Sequence, residues 1–191
     1  ELAAAKIALA ELVAAKKVAA EKVALEKAAQ LAVDCQAKYD ESTAAYEAGN
    51  LEANIALKRE ILGMSCDEEL SSKAQYYIGW TYGNKLFDMD AAQAEYQKGA
   101  NNYTSGLQYV EKCWEKLALY DKSDEAEAVY KAGDFAKSAV LREEVGLTKG
   151  CDKELAAKNI YLAGYIHQKK LNDNAKAKAL YEIVVISFSG S

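Results

Sequence analysis

The chain has 191 residues, 51% of them hydrophobic and 28% charged, with a net charge of −5 and no proline. Such a balance excludes a disordered chain, which lacks the apolar residues for a core. A negative chain with no Lys/Arg run longer than two excludes the clustered basic surface of a nucleic-acid binder. No window approaches the roughly 18 consecutive apolar residues of a membrane span, the nearest being Ile183-Val184-Val185-Ile186, so no transmembrane segment is expected.

Helix is predicted from the first residues onward. Alanine dominates the first third, and alanine has the best intrinsic helix propensity, whereas proline costs about 3 kcal/mol inside a helix. Residues 1–30 contain no glycine, proline, asparagine or serine that would stop one. Leu2, Leu9 and Val23 stand at multiples of seven with Ala5, Leu12 and Ala19 between them, while Lys16 interrupts the seam. Lys17 with Glu21 and Lys22 with Glu26 form i,i+4 pairs on the solvated side. The pattern continues to about Tyr39, a helix of roughly 60 Å. Its apolar face, carrying Leu2, Ile7, Leu9, Leu12, Val13 and Val23, needs a cover. Three covers are open: later helices of the same chain, an identical helix in a coiled coil, or the groove of a neighbouring subunit. The alanine-rich stripe suits docking against small residues better than a leucine-rich zipper.

Beyond residue 30 the sequence repeats itself. Tyr46-Glu-Ala-Gly49-Asn matches Tyr130-Lys-Ala-Gly133-Asp at an offset of 84. One inserted residue later the offset is 85, and Cys66, Asp67, Leu70, Tyr76, Gly79, Ala92 and Tyr96 recur as Cys151, Asp152, Leu155, Tyr161, Gly164, Ala177 and Tyr181. Upstream, Cys35-Gln-Ala-Lys38 pairs with Cys113-Trp-Glu-Lys116. A period of this length implies stacked structural units. Ala48-Gly49-Asn50 and Ala132-Gly133-Asp134 read as helix ends, with glycine closing one helix and Asn or Asp capping the next. Leu51, Ile55, Leu57, Ile61 and Leu62 then have the spacing of a buried helical face. The organisation expected is a helix over 1–30, a first unit over 31–106 and a second over 107–191.

The units resemble the tetratricopeptide repeat, a 34-residue helical hairpin. In Ile160-Tyr-Leu-Ala163-Gly164-Tyr-Ile-His167, Ala163 and Gly164 match that motif's small close-packing pair, and Ala177 and Tyr181 match the small and aromatic positions of its second helix. Ile78-Gly79, Tyr82, Ala92 and Tyr96 are the first-unit counterparts. The proline that often ends the motif is replaced by Thr104 and Ser189, and the hairpins over 35–66 and 113–151 fit the motif poorly. The resemblance implies an all-α solenoid of two tandem units preceded by a long helix. Bacterial envelope proteins that join an N-terminal coiled coil to a tetratricopeptide domain are similar in layout, and act as oligomeric adaptors.

Four cysteines fall into two pairs, and the C-x-x-C spacing of a structural zinc site is missing. Residues equidistant from the turn of an antiparallel hairpin lie side by side. The midpoint of Cys35 and Cys66 falls at Gly49-Asn50, and that of Cys113 and Cys151 at Ala132-Gly133. Both pairs are therefore expected to form disulfides, with four buried free thiols as the competing reading. Persistent bridges imply an oxidising compartment: the extracellular medium, a cell surface or a bacterial periplasm. The first residue is Glu1 rather than Met, which permits a processed leader.

No catalytic constellation emerges. His167 is the one residue that titrates near neutrality at its unperturbed pKa, but its counterpart is Tyr82, an interior motif position, so a packed or hydrogen-bonded histidine is expected. Asp88-Met-Asp90 reads as a helix cap, lacking the rest of a calcium loop. Phosphate loops, nucleophile elbows and H-E-x-x-H pairs are absent, and no metal or cofactor is expected. Asn102-Tyr-Thr104 fits a glycosylation acceptor only as a short pattern. Tyr77, Trp80 and Tyr165 are candidates for a concave face, where aromatics give contact area at low entropy cost. The function expected is a non-enzymatic protein-binding subunit that self-assembles through its N-terminal helix. The alternatives are a monomeric periplasmic adaptor for another protein or a ligand-binding solenoid.

Overall fold

The computed structural model describes the backbone from Leu2 to Phe188 and the side chains from residue 11 to residue 188. Among the described residues there are eight α-helices, one π-helical turn and no strand, so the fold is all-α as the sequence predicts. The chain forms two compact units, Glu1–Asp67 and Glu68–Ser191. That division falls within the segment 31–106 that the sequence repeat groups together, so packing and duplication cut the chain at different points.

In the first unit, α1 (Leu2–Glu47) is one unbroken helix of 46 residues, about 69 Å long. It continues past Tyr39 because nothing in the sequence stops it before Gly49, whose φ of +77° turns the chain. Asn50 then caps α2 (Leu51–Gly63) by accepting a hydrogen bond from Ala53 N–H at 3.0 Å. The hairpin is held by Cys35, Tyr39, Ile55 and Ile61, all buried. Asn54 Nδ2 donates to the Ser42 carbonyl at 2.6 Å. Residues 11–30 of α1 are exposed throughout.

The second unit runs α3 (Glu68–Thr81), the π-helical turn Tyr82–Leu86, α4 (Met89–Asn101), α5 (Gln108–Lys131), α6 (Phe135–Leu147), α7 (Lys153–Lys169) and α8 (Asn174–Phe188). From α3 onward each α-helix packs on the next. Asp88 accepts from Ala91 N–H and so caps α4, the role the sequence assigned it. One core gathers Ala92, Tyr96 and Ala100 of α4, Cys113, Leu117 and Tyr120 of α5, Val145 of α6 and Leu155 of α7. A second lies in the last hairpin, where Ile160 and Ala163 meet Leu180, with Ile183 and Val184 packed alongside.

Local geometries recur at the spacing of the sequence repeat. Ser138 Oγ donates to the Ala126 carbonyl at 2.7 Å, 84 residues after the Asn54–Ser42 bond. Left-handed backbone occurs at Gly49 and Gly133, at Ser65 and Gly150, and at Phe87 and Asn172. The rings of Tyr76 and Tyr96 stand 5.7 Å apart at 40°, and so do those of Tyr161 and Tyr181.

Candidate functional site

Cys35 and Cys66 form a disulfide with their Cα atoms 6.0 Å apart, joining α1 to the residues just after α2. The second expected bridge does not exist, because Cys113 and Cys151 are free thiols. Equidistance from a turn fixes height along a hairpin but not the direction in which a side chain faces. Cys35 precedes Tyr46 by eleven residues, and Cys113 precedes Tyr130 by seventeen. Six extra residues rotate a side chain by roughly 240° beyond a full turn. Cys113 is thereby turned onto α4, where its Sγ sits so close to Gly99 that a Cβ built there would lie 2.5 Å away. Burial pushes both thiols up to about 12, and the neighbouring Asp152 carboxylate adds to the effect at Cys151.

Of the residues proposed for the apolar face of α1, Leu12, Val13 and Val23 are half or more exposed, and Val18, Leu25 and Val33 join them. Leu2, Ile7 and Leu9 lie outside the residues whose side chains are described. The candidate concave-face aromatics separate into two groups. Tyr77 packs 6.4 Å from Trp80 and 5.8 Å from Tyr109 of α5, with Lys112 stacked over Tyr109 at 4.6 Å. Tyr165 instead lines a groove of about 220 Å³ with Tyr130, Arg142 and Leu162.

His167 lines a shallow groove of about 430 Å³ with Ala139, Val140, Leu147 and Leu171. Its Nε2 stands 2.9 Å from Glu143 Oε1, and the other Glu143 oxygen takes Lys176 Nζ at 2.8 Å. The histidine is thus hydrogen-bonded, as expected from its motif position, and the carboxylate within its reach is already paired with a lysine.

The strongest polar constellation was not legible in the sequence. Asp152 is fully buried, and its carboxylate accepts from Lys116 Nζ, from Tyr120 Oη at 3.0 Å, from Tyr96 Oη at 3.1 Å and from Asn84 Nδ2 at 2.8 Å. Lys116 also donates to the Gly150 carbonyl at 2.7 Å. Gly83 leaves the space this needs, since a Cβ there would lie 2.6 Å from the carboxyl carbon. The network ties the π turn, α4 and α5 to the start of α7. Burial and the Asp152 charge together raise the Tyr96 and Tyr120 phenols well above their usual range. Each side-chain donor atom of the set, Lys116 Nζ, Tyr96 Oη, Tyr120 Oη and Asn84 Nδ2, has an acceptor in the Asp152 carboxylate, so the arrangement works as a structural lock.

On the outer side of the last hairpin, Ala177, Tyr181, Val185 and Ile186 line an open groove of about 590 Å³, flanked by Lys178 and Glu182. Val185 is 64% and Ile186 81% exposed. No helix of the described residues is long and apolar enough to cross a membrane, and no group of metal-ligating side chains occurs among them. No protein-family model matches the chain, and no match was found among curated proteins.

Proposed function

We propose that this chain is a non-enzymatic, exported structural subunit built of tetratricopeptide-like tandem units, which assembles with copies of itself through α1. The observation that carries the reading is the uncovered apolar surface of that helix: residues 11–30 are exposed and include Leu12, Val13, Val18, Val23 and Leu25. An isolated apolar surface of this length is unfavourable in water, and contiguous exposed apolar area marks interaction sites. The Lys17–Glu21 and Lys22–Glu26 pairs keep the rest of the helix solvated.

The recurrence of the Tyr76–Tyr96 geometry at Tyr161–Tyr181, and of left-handed backbone at matched positions, supports the tandem-unit reading. The Cys35–Cys66 bridge supports export, since disulfides persist where the surroundings are oxidising. The non-enzymatic reading draws on the state of the polar groups present, for Asp152 is sealed in its network and Glu143 is neutralised by Lys176.

Light scattering of the full chain over a hundredfold concentration range tests the proposal. Mass should grow with concentration as copies associate. A mass fixed at the monomer value throughout would favour the adaptor alternative, in which the same helix face receives a different protein.

A further inference from the structure

The α4–α5 contact supplies a template for what covers the open groove on α8. Within the second unit, Ala92, Tyr96 and Ala100 of α4 are buried beneath Cys113, Leu117 and Tyr120 of α5. Moved on by 85 residues, those α4 positions become Ala177, Tyr181 and Val185, and these three line the α8 groove. The hairpin beneath is prepared in the same way. Tyr181 packs on Gly164 as Tyr96 packs on Gly79, and the partner rings Tyr161 and Tyr76 stand at the same distance. The difference is the lid: Tyr96 is fully buried, whereas Val185 and Ile186 are open.

The lid over α4 does two jobs. The first half of α5 covers α4 and its second half pairs with α6, where Ala126 accepts from Ser138. Eighty-four residues earlier, the end of α1 pairs with α2 through the matching Ser42–Asn54 bond. The earlier part of α1 therefore corresponds to the part of α5 that acts as a lid. In the register set by those two bonds, Val33 stands 84 residues before Leu117 and is 62% exposed, and Val18, further up the same helix and beyond the stretch that matches α5, is 64% exposed. Among the described residues, the 11–30 stretch of α1 is exposed throughout, and so are Val185 and Ile186 of the α8 groove.

We infer that α1 of one copy docks on the α8 groove of a second copy, repeating between molecules the α5-on-α4 contact. The inference rests on the self-assembly reading and names its acceptor. Such a contact is heterologous, using different surfaces on the two molecules, so it propagates into a ring or a filament. Small residues at Ala177 and along α1 allow the close approach that a leucine-rich seam would prevent.

Two variants of the full chain test this. The donor variant is V18E/V33E and the acceptor variant is V185E/I186E. All four positions are more than half exposed, and glutamate is a good helix former, so both should keep the wild-type circular dichroism. Each alone should be monomeric under conditions where the wild type assembles. Mixed in equal amounts, they should give a 1:1 complex of twice the monomer mass and nothing larger, because one intact contact survives in the pair. An acceptor variant that assembles like the wild type, while the donor variant does not, would overturn the α8 assignment and leave self-assembly through α1 standing, as in a coiled coil. A wild type that stays monomeric would remove both readings. A mixture that yields no complex would also overturn the inference.

Discussion

The ring of Tyr96 lies so close over Gly79 that a Cβ built on the glycine would stand 2.8 Å from Cε1 and 3.2 Å from the Ala92 carbonyl oxygen. Tyr96 cannot swing aside, because it is fully buried and its hydroxyl is held by Asp152 at 3.1 Å. Gly79→Ala should therefore destabilise the second unit by about 1–3 kcal/mol, the usual cost of overpacking. Gly164→Ala meets Tyr181 at a similar distance, but that ring borders the open groove and has room to shift. The gain of alanine over glycine in a helix, roughly 0.5–1 kcal/mol, then offsets the clash. Denaturant melts of the two variants should differ by at least about 1 kcal/mol, and equal losses would show that the two hairpins are packed alike.

Asp152→Ala should cost about 3–5 kcal/mol, the range for leaving one partner of a buried ion pair behind. Lys116 would then be stranded among Tyr96 and Tyr120 with only the Gly150 carbonyl as acceptor. Adding Lys116→Met to Asp152→Ala should cost less than the sum of the two single changes, by more than about 1 kcal/mol, since the groups act as one network. A strictly additive cycle would mean that the lysine and the carboxylate contribute separately.

The thiols give a count. Native protein at pH 8 should react with a thiol reagent very slowly, because burial holds Cys113 and Cys151 up to about 12 and leaves little thiolate. Unfolded without reductant, the chain should expose the two free thiols and keep the Cys35–Cys66 bridge. A count of none would restore the second bridge, and a count of four would remove the first. Replacing Cys35 and Cys66 by serine should cost about 3.7 kcal/mol on the chain-entropy account of a 31-residue separation.

Alkali should unfold the second unit. Cys113 and Cys151 hold their protons in the fold up to about 12 and release them near 9 when unfolded, and the raised Tyr96 and Tyr120 phenols behave alike from about 10 upward. The unfolded chain then binds fewer protons than the folded one, so stability is full below about pH 9 and falls as pH rises. Each such group contributes up to about 1.4 kcal/mol per pH unit once its unfolded form is ionised. Melting temperature measured from pH 7 to 11 should be level at first and then drop. A rise through this range would contradict the burial of these groups.

How much could be read beforehand follows from the range of each interaction. The all-α class, the Gly49 turn, the Asn50 and Asp88 caps and the first disulfide depend on neighbours along the chain or on one hairpin, and spacing reveals them. The Asp152 network does not, because its partners Asn84, Tyr96, Tyr120 and Lys116 lie 32 to 68 residues away. Cys113 misled for a related reason: hairpin symmetry gives a height, and the facing direction depends on a helix whose N-terminal half packs elsewhere. The left-handed backbone at Phe87, a residue type that seldom adopts it, carried no local signal and became visible only beside Asn172.

Assembly turns on the first part of α1, and removing residues 1–28 from the chain measures its contribution. The exposed segment 11–30 contributes no described packing to the first hairpin, while Cys35, Tyr39 and Ser42 all remain. The truncated protein, examined by light scattering and circular dichroism beside the full chain, should be a folded monomer with its disulfide intact while the full chain assembles. Assembly that persists after truncation, or a first hairpin that unfolds with the loss, would contradict the central claim that α1 is the assembly helix.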